Sequence, residues 1–127
     1  MLVDTQALIW FAQGSSDLSS NARAAIDDPN LLQLASAASL WEMAIKLALG
    51  KMTLKVGTLR DFANLLQAND IEILPVTRED AIAVGDLPAG KHTDPFDRMI
   101  AAQCLSQNIT LVSIDAAFDA YAVKRIW

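Results

Sequence analysis

The chain has 127 residues, of which 53% are hydrophobic and 20% charged, with a net charge of −5. A chain of this size supports one domain with its own core, and its composition argues against disorder and for a compact globule. Apolar stretches such as Leu40 to Leu49 fall far short of the roughly 20 residues that a membrane span needs. No basic start followed by a small-residue cleavage site marks a signal peptide. The lone Cys104 excludes an internal disulfide, so a reducing, cytoplasmic setting is expected.

Short apolar runs alternate with longer helical ones, the pattern of βαβ units around a mostly parallel sheet. A strand over Leu2 to Asp4 leads into a helix from about Thr5 to Gln13, ended by Gly14-Ser15-Ser16. Ser19 or Ser20 caps a second helix running to Asp28, and Pro29-Asn30 turns the chain into a strand over Leu31 to Ala35. Ser36 or Ser39 opens an apolar helix through Leu49, with Gly50 as its stop. A helix over Thr58 to Asn69 follows, with Leu59, Phe62, Ala63, Leu65 and Leu66 on one face. Ile71 to Leu74 reads as a strand and Thr77 to Asp86 as a helix, and the exposed loop from Leu87 to Thr93 comes next. Asp94-Pro95 is a strong start for a helix to about Gln107. Asn108 then turns the chain into a strand ending near Ile114. A short helix from Ala116 and a strand near Val123 to Ile126 finish an α/β domain spanning residues 1–127.

The placement of the acids carries the functional signal. Asp4 closes the run Met1-Leu2-Val3, and Asp115 closes Ile109 to Ile114. Both therefore fall at carboxyl ends of strands, the edge where open α/β sheets bind ligands. Glu42 and Asp97 interrupt helical segments. Acids converging without matching cations repel one another, and a divalent cation is the usual remedy. A metal site in turn points to phosphate chemistry. Each acid also has a purely structural reading. Asp4 and Asp115 suit helix caps, as does Asp119 one turn later. Asp97 suits the acid of a capping-box-like start after Asp94. Glu42 has Lys46 four residues on, the favourable order for an exposed ion pair. Yet Leu40, Trp41, Met43, Ala44, Ile45 and Leu47 surround Glu42, which places it in a partly buried setting that demands a partner.

Net negative charge argues at first sight against a nucleic-acid partner. Setting the four acids aside, however, leaves the chain one charge short of neutral. Lys46, Lys51, Lys55 and Arg60 form a basic stretch with no acid between Glu42 and Asp61. That stretch reads either as a phosphate-backbone contact or as a solvated helix end and loop. Thr5 and Ser113, each beside an acid, are placed to orient a carboxylate or a metal-bound water. His92 reads as an exposed loop residue, Cys104 as a core thiol, and Trp10 and Trp41 as core residues. Trp127 is packed or frayed.

These residues resemble the PIN-domain ribonucleases, and among them the VapC-type toxins of bacterial toxin–antitoxin pairs. The resemblance runs through Leu2-Val3-Asp4-Thr5-Gln6-Ala7-Leu8-Ile9-Trp10 and Ser39-Leu40-Trp41-Glu42-Met43-Ala44-Ile45-Lys46. It continues through Asp94-Pro95-Phe96-Asp97-Arg98-Met99-Ile100-Ala101-Ala102-Gln103 and Leu111-Val112-Ser113-Ile114-Asp115. It implies a PIN-like three-layer α/β/α domain and an acidic quartet of Asp4, Glu42, Asp97 and Asp115, with Asp119 as a stand-in for Asp115. It further implies Mg²⁺- or Mn²⁺-dependent hydrolysis of RNA, a homodimer, and a small VapB-like antitoxin as partner. Lys46, Lys51 and Arg98 are candidate substrate contacts. Gln6 and Ser113 depart from the histidine and threonine common in close relatives, and neither is one of the acids. Three rival readings are a phosphoacceptor signalling module, an inactive PIN module kept for binding, and a PIN nuclease that is not a toxin. The first wants a lysine near the acids, for which Lys124 is the late candidate.

Overall fold

The computed structural model describes residues 1–88 and 93–127. Five strands form one sheet: β1 (Leu2–Val3), β2 (Gln33–Ser36), β3 (Ile71–Leu74), β4 (Leu111–Val112) and β5 (Arg125–Ile126), in the order β3-β2-β1-β4-β5. Every pairing is parallel. The chain runs outward from β1 to β3 on one side and then returns to place β4 and β5 on the other. The order in which strands are added therefore reverses between β1 and β4, the position at which open α/β sheets form a ligand crevice.

Residues of period two sort the core into two faces. Val3, Ala35 and Val112 pack toward α1 (Thr5–Ala12), α2 (Ser20–Ile26), α3 (Ala37–Ala48) and α4 (Leu59–Ala68). Leu2, Leu34 and Leu111 pack on the opposite face with α6 (Pro95–Gln107) and the 3₁₀ helix Ala116–Tyr121. The result is the three-layer α/β/α arrangement. Cys104 sits in the second core, where burial pushes its thiol up to about 12; it is an inert core residue. Trp10 and Trp127 pack on each other with ring centroids 5.6 Å apart against the first core.

The predicted elements are present, with local differences. Leu31 and Leu32 stay outside β2, 43% and 57% exposed. The amide of Leu31 donates to the carbonyl of Asp28, holding it in the Pro29-Asn30 turn, so pairing begins at Gln33 opposite Ile71. Ser19 and Ser36 are the residues that cap α2 and α3. Gly50 ends α3 at φ +64, and the amide of Lys51 reaches back to the carbonyl of Lys46, the bond that closes such helix ends. Trp41 corrects the core expectation. The face of α3 carrying Ala38, Ser39, Glu42 and Met43 is buried, which turns Trp41 outward at 64% exposure, edge-on to Phe96. Expected loop residue His92 lies outside the described residues.

The helix α5 (Arg78–Asp86) is tied to α6 by Asp80. The Asp80 carboxylate, 3% exposed, accepts from the Thr77 amide and hydroxyl at 2.9 and 2.8 Å and from the Ser106 hydroxyl of α6 at 3.3 Å. Burial alone would raise its pKa, but the hydrogen bonds from Thr77, Gln103 and Ser106 prevail and hold it below the ordinary carboxyl value. A depressed carboxyl stabilises the fold above its unfolded pKa, and that contribution is lost as pH falls through the folded value. Asp80→Ala should therefore cost about 1–3 kcal/mol at pH 7. Urea denaturation should show the gap to wild type narrowing as pH falls below the ordinary carboxyl value; an unchanged gap would mean that packing, not the charge, carries the effect.

Candidate active site

An open cleft of about 440 Å³ lies at the carboxyl edge where β1 and β4 adjoin. Asp4, Glu42, Asp97 and Asp115 all line it, together with Asp94, Thr5 and Lys46. The route to the cleft differs for each acid. Asp4 directly follows the central strand β1 and caps α1, with Oδ1 accepting from the Ala7 amide at 2.7 Å. Asp115 is the third residue after β4 and caps the 3₁₀ helix through the Ala117 amide at 2.8 Å. Asp97 lies in the first turn of α6, where the Asp94 carboxylate accepts from the amides of Phe96 and Asp97 at 2.8 and 3.3 Å. Glu42 arrives from α3 on the far side of the cleft. The capping and cleft readings therefore hold at the same residues.

Burial decides the electrostatics. Asp4 is 4% exposed. Its carboxyl is raised above the usual range, chiefly by burial and also by the fields of Asp115 and Glu42; hydrogen bonds from the Ser113 hydroxyl and the Ala7 amide pull the other way. The wholly buried Ser113 thus serves two acids, since its oxygen also accepts from the Asp115 amide at 3.0 Å. Glu42 is 6% exposed. Its Oε2 accepts from the Thr5 hydroxyl at 2.6 Å, and its Oε1 pairs directly with the Lys46 ammonium. The Lys46 pKa is held above the ordinary lysine value, foremost by that bond; burial opposes it, and the fields of Asp94 and Asp97 add to it.

Other sequence candidates fall elsewhere. Arg98 does not line the cleft. Its guanidinium donates to the carbonyls of Val84, Leu87 and Pro88 at 3.0–3.3 Å and to the Tyr121 hydroxyl, tying α6 to the end of α5. Lys51 is exposed beyond the end of α3, and of the basic stretch only Lys46 reaches the cleft. Asp119 is also outside it, in a two-point pair with Arg125 at 2.9 and 3.1 Å. Lys124, which a phosphoacceptor module would need beside the acids, is exposed and outside the cleft lining. Asp94, expected from the sequence as the cap of α6, is also a cleft acid. Its place immediately before Pro95 was the available signal, because a cap on α6 sits at the same sheet edge as Asp97.

Among the described residues, no three His, Cys, Asp or Glu side chains gather closely enough to hold an ion by themselves. The donors are nonetheless hard oxygens, and the field they make is already felt at Asp4. Mg²⁺ is commonly held by one or two carboxylates, with water and substrate phosphate completing its shell. The cleft fits an ion of that kind.

The sequence pattern of the PIN domain matches residues 1–124. Among solved structures, the chain is similar to the crystal structure of FitAcB from Neisseria gonorrhoeae, with a TM-score of 0.65 and 20% identity, covering 99% of this chain and 96% of that one. It is also similar to FitAB bound to an IR36 DNA fragment, with a TM-score of 0.64 and 21% identity, covering 98% and 92%. A third likeness is to VapBC2 from Rickettsia felis bound to a DNA fragment from its promoter, with a TM-score of 0.65 and 15% identity, covering 98% and 96%. No curated protein matches significantly.

A raised carboxyl pKa means that the folded protein holds an extra proton between the unfolded and folded values, so stability falls as pH rises through that interval. Asp4→Asn removes this loss and keeps a capping side chain. In EDTA-treated protein at pH 7 it should be at least as stable as wild type, with Asp4→Ala about 1 kcal/mol below it for want of the cap. Urea denaturation checks the order; an Asn variant much weaker than wild type would make the charge itself structural.

Proposed function

Because the chain belongs to the PIN domain family, whose members are generally nucleases that use divalent metals, we propose that it is a Mg²⁺- or Mn²⁺-dependent endoribonuclease and the toxin of a type II toxin–antitoxin pair. The observation that carries this reading is the convergence of Asp4, Glu42, Asp97 and Asp115 on one cleft at the sheet's point of reversal. Asp4, Asp97 and Asp115 would hold the ion, and Glu42 would either join them or orient the attacking water. When bound, the ion would supply a nucleophilic water at neutral pH and offset charge on the phosphoryl oxygens.

The chain's own residues do the positioning. Ser113 fixes the Asp4 carboxylate and the Asp115 backbone together, so the acids from β1 and β4 cannot drift apart independently. Thr5 fixes one oxygen of Glu42, leaving the other turned to the Lys46 side of the cleft. Gln6 and Ile114 lie at the exposed rim, where a nucleotide flanking the scissile phosphate would lie.

A small antitoxin and a second copy of the chain are the proposed protein partners. Two of the similar structures, FitAB and VapBC2, are bound to DNA, the second to a fragment of its own promoter, and the VapC-type resemblance of this chain implies an antitoxin. Trp41 and Ile45 on α3 and Leu49 at its C-cap, exposed apolar residues spaced one helical turn apart, support a protein partner, since exposed apolar patches mark association sites. No helix among the described residues is long and apolar enough to cross a membrane, and we place the activity in the cytoplasm.

Purified protein freed of antitoxin and incubated with total RNA and Mn²⁺ should give discrete products. EDTA should abolish them, and Asp97→Asn should reduce them by more than the roughly 100-fold that loss of an outer metal partner costs, with circular dichroism unchanged. A folded wild-type protein that leaves RNA intact would instead support a PIN module kept for binding.

A further inference from the structure

The cleft brings five carboxylates together, and among the described residues lining it Lys46 is the single cation. We propose that Lys46 is the cleft's resident counter-ion, exchanged off Glu42 when a divalent cation enters and then turned to hold the RNA phosphate. The inference rests on the metal-nuclease reading above and adds to it a role for a residue outside the acidic set.

The two ends of the Lys46–Glu42 pair differ in freedom. The Glu42 side chain is 8% exposed, and its Oε2 is pinned by the Thr5 hydroxyl, which lies 3.0 Å from the Ser39 hydroxyl. The Lys46 side chain is 44% exposed, one helical turn along α3. When the pair opens, the carboxylate stays and the ammonium moves. Oε1, the oxygen that Lys46 covers, is also the Glu42 oxygen left to an incoming ion, so ion and ammonium compete for one atom. Asp94 and Asp97 face the same ammonium. Their pull holds it toward the cleft that all three residues line, and a bound backbone phosphate would replace them as its partner. Lysine suits this exchange because its charge is compact and carried on a flexible stem.

The test is calorimetric titration of Mn²⁺ into the metal-free full chain, comparing wild type, Lys46→Met and Lys46→Arg, each checked for folding by circular dichroism. Lys46→Met removes the competitor and should bind Mn²⁺ roughly 3- to 10-fold more tightly, the gain expected from losing one nearby like charge. Lys46→Arg keeps a counter-ion and should stay within about twofold of wild type by the same reasoning. In saturating Mn²⁺, the dependence of log KM for RNA on log salt should lose about 0.7 in slope for Lys46→Met, the value for one phosphate contact on a single strand. Wild-type and Lys46→Met proteins that bind Mn²⁺ equally would overturn the exchange and leave the nuclease reading standing. Tighter Mn²⁺ binding with an unchanged salt slope would overturn the phosphate half. A folded wild type that binds no Mn²⁺ would remove both the metal-nuclease reading and this inference.

Discussion

Carboxylates forced together at the carboxyl edge of β1 and β4 set the terms for the rest of this molecule. Asp4 has almost no contact with solvent, and an ionised carboxylate in that position loses hydration that the protein must replace. The replacement comes from backbone and side-chain donors: the Ala7 amide, the Ser113 hydroxyl and, for Glu42, Thr5 and Lys46. The surrounding architecture is arranged so that these donors arrive. The sheet reverses at β1 and β4, α3 brings Glu42 across the gap, and α6 begins at the edge where its first turn faces the other acids. Burial still outweighs the donors at Asp4, whose carboxyl remains raised. The cleft is thus a place of stored repulsion, the condition under which an incoming cation gains most.

The same physics explains which parts could be read from the sequence. Strands and helices were legible because their periodicities are local: β1, α3, α4 and α6 follow from short apolar runs, capping residues and the Gly50 stop. The acids Asp4 and Asp115 were legible because an acid at or just beyond the end of a strand has few places to go. Arg98 was not. Its neighbours in sequence are the acidic motif, but its guanidinium turns away to carbonyls at the end of α5, and a contact between residues that far apart leaves no local pattern. Trp41 failed for a related reason. Apolar residues on most sides of α3 conceal which side meets the core, and only the packing of Met43 and Glu42 inward settles that Trp41 points out. The pairing of Asp119 with Arg125 was hidden in the same way, because β5 must form before the two side chains meet.

Cap and cleft roles, alternatives in the sequence, coexist at single residues in the fold. Asp4, Asp94 and Asp115 each accept backbone amides at the start of a helical element, and α1, α6 and the 3₁₀ helix all begin at the cleft. The amino ends of helices carry unpaired amides and partial positive charge. Elements that begin at the cleft thereby supply part of the compensation that a cation would otherwise have to provide, so the acids can be held together while the protein folds without one.

That arrangement also divides labour along the chain. An acid whose one oxygen is bound by its own helix start keeps the carboxylate in a fixed orientation and leaves the other oxygen for a ligand. Glu42 lacks such a helix start, because it sits in the middle of α3; its compensation comes from side chains, Thr5 on one oxygen and Lys46 on the other. Side-chain partners can be exchanged where backbone amides cannot. Glu42, held by side chains rather than by a helix start, therefore has a partner that is free to leave, which makes the Glu42–Lys46 pair the adjustable element of the acidic edge.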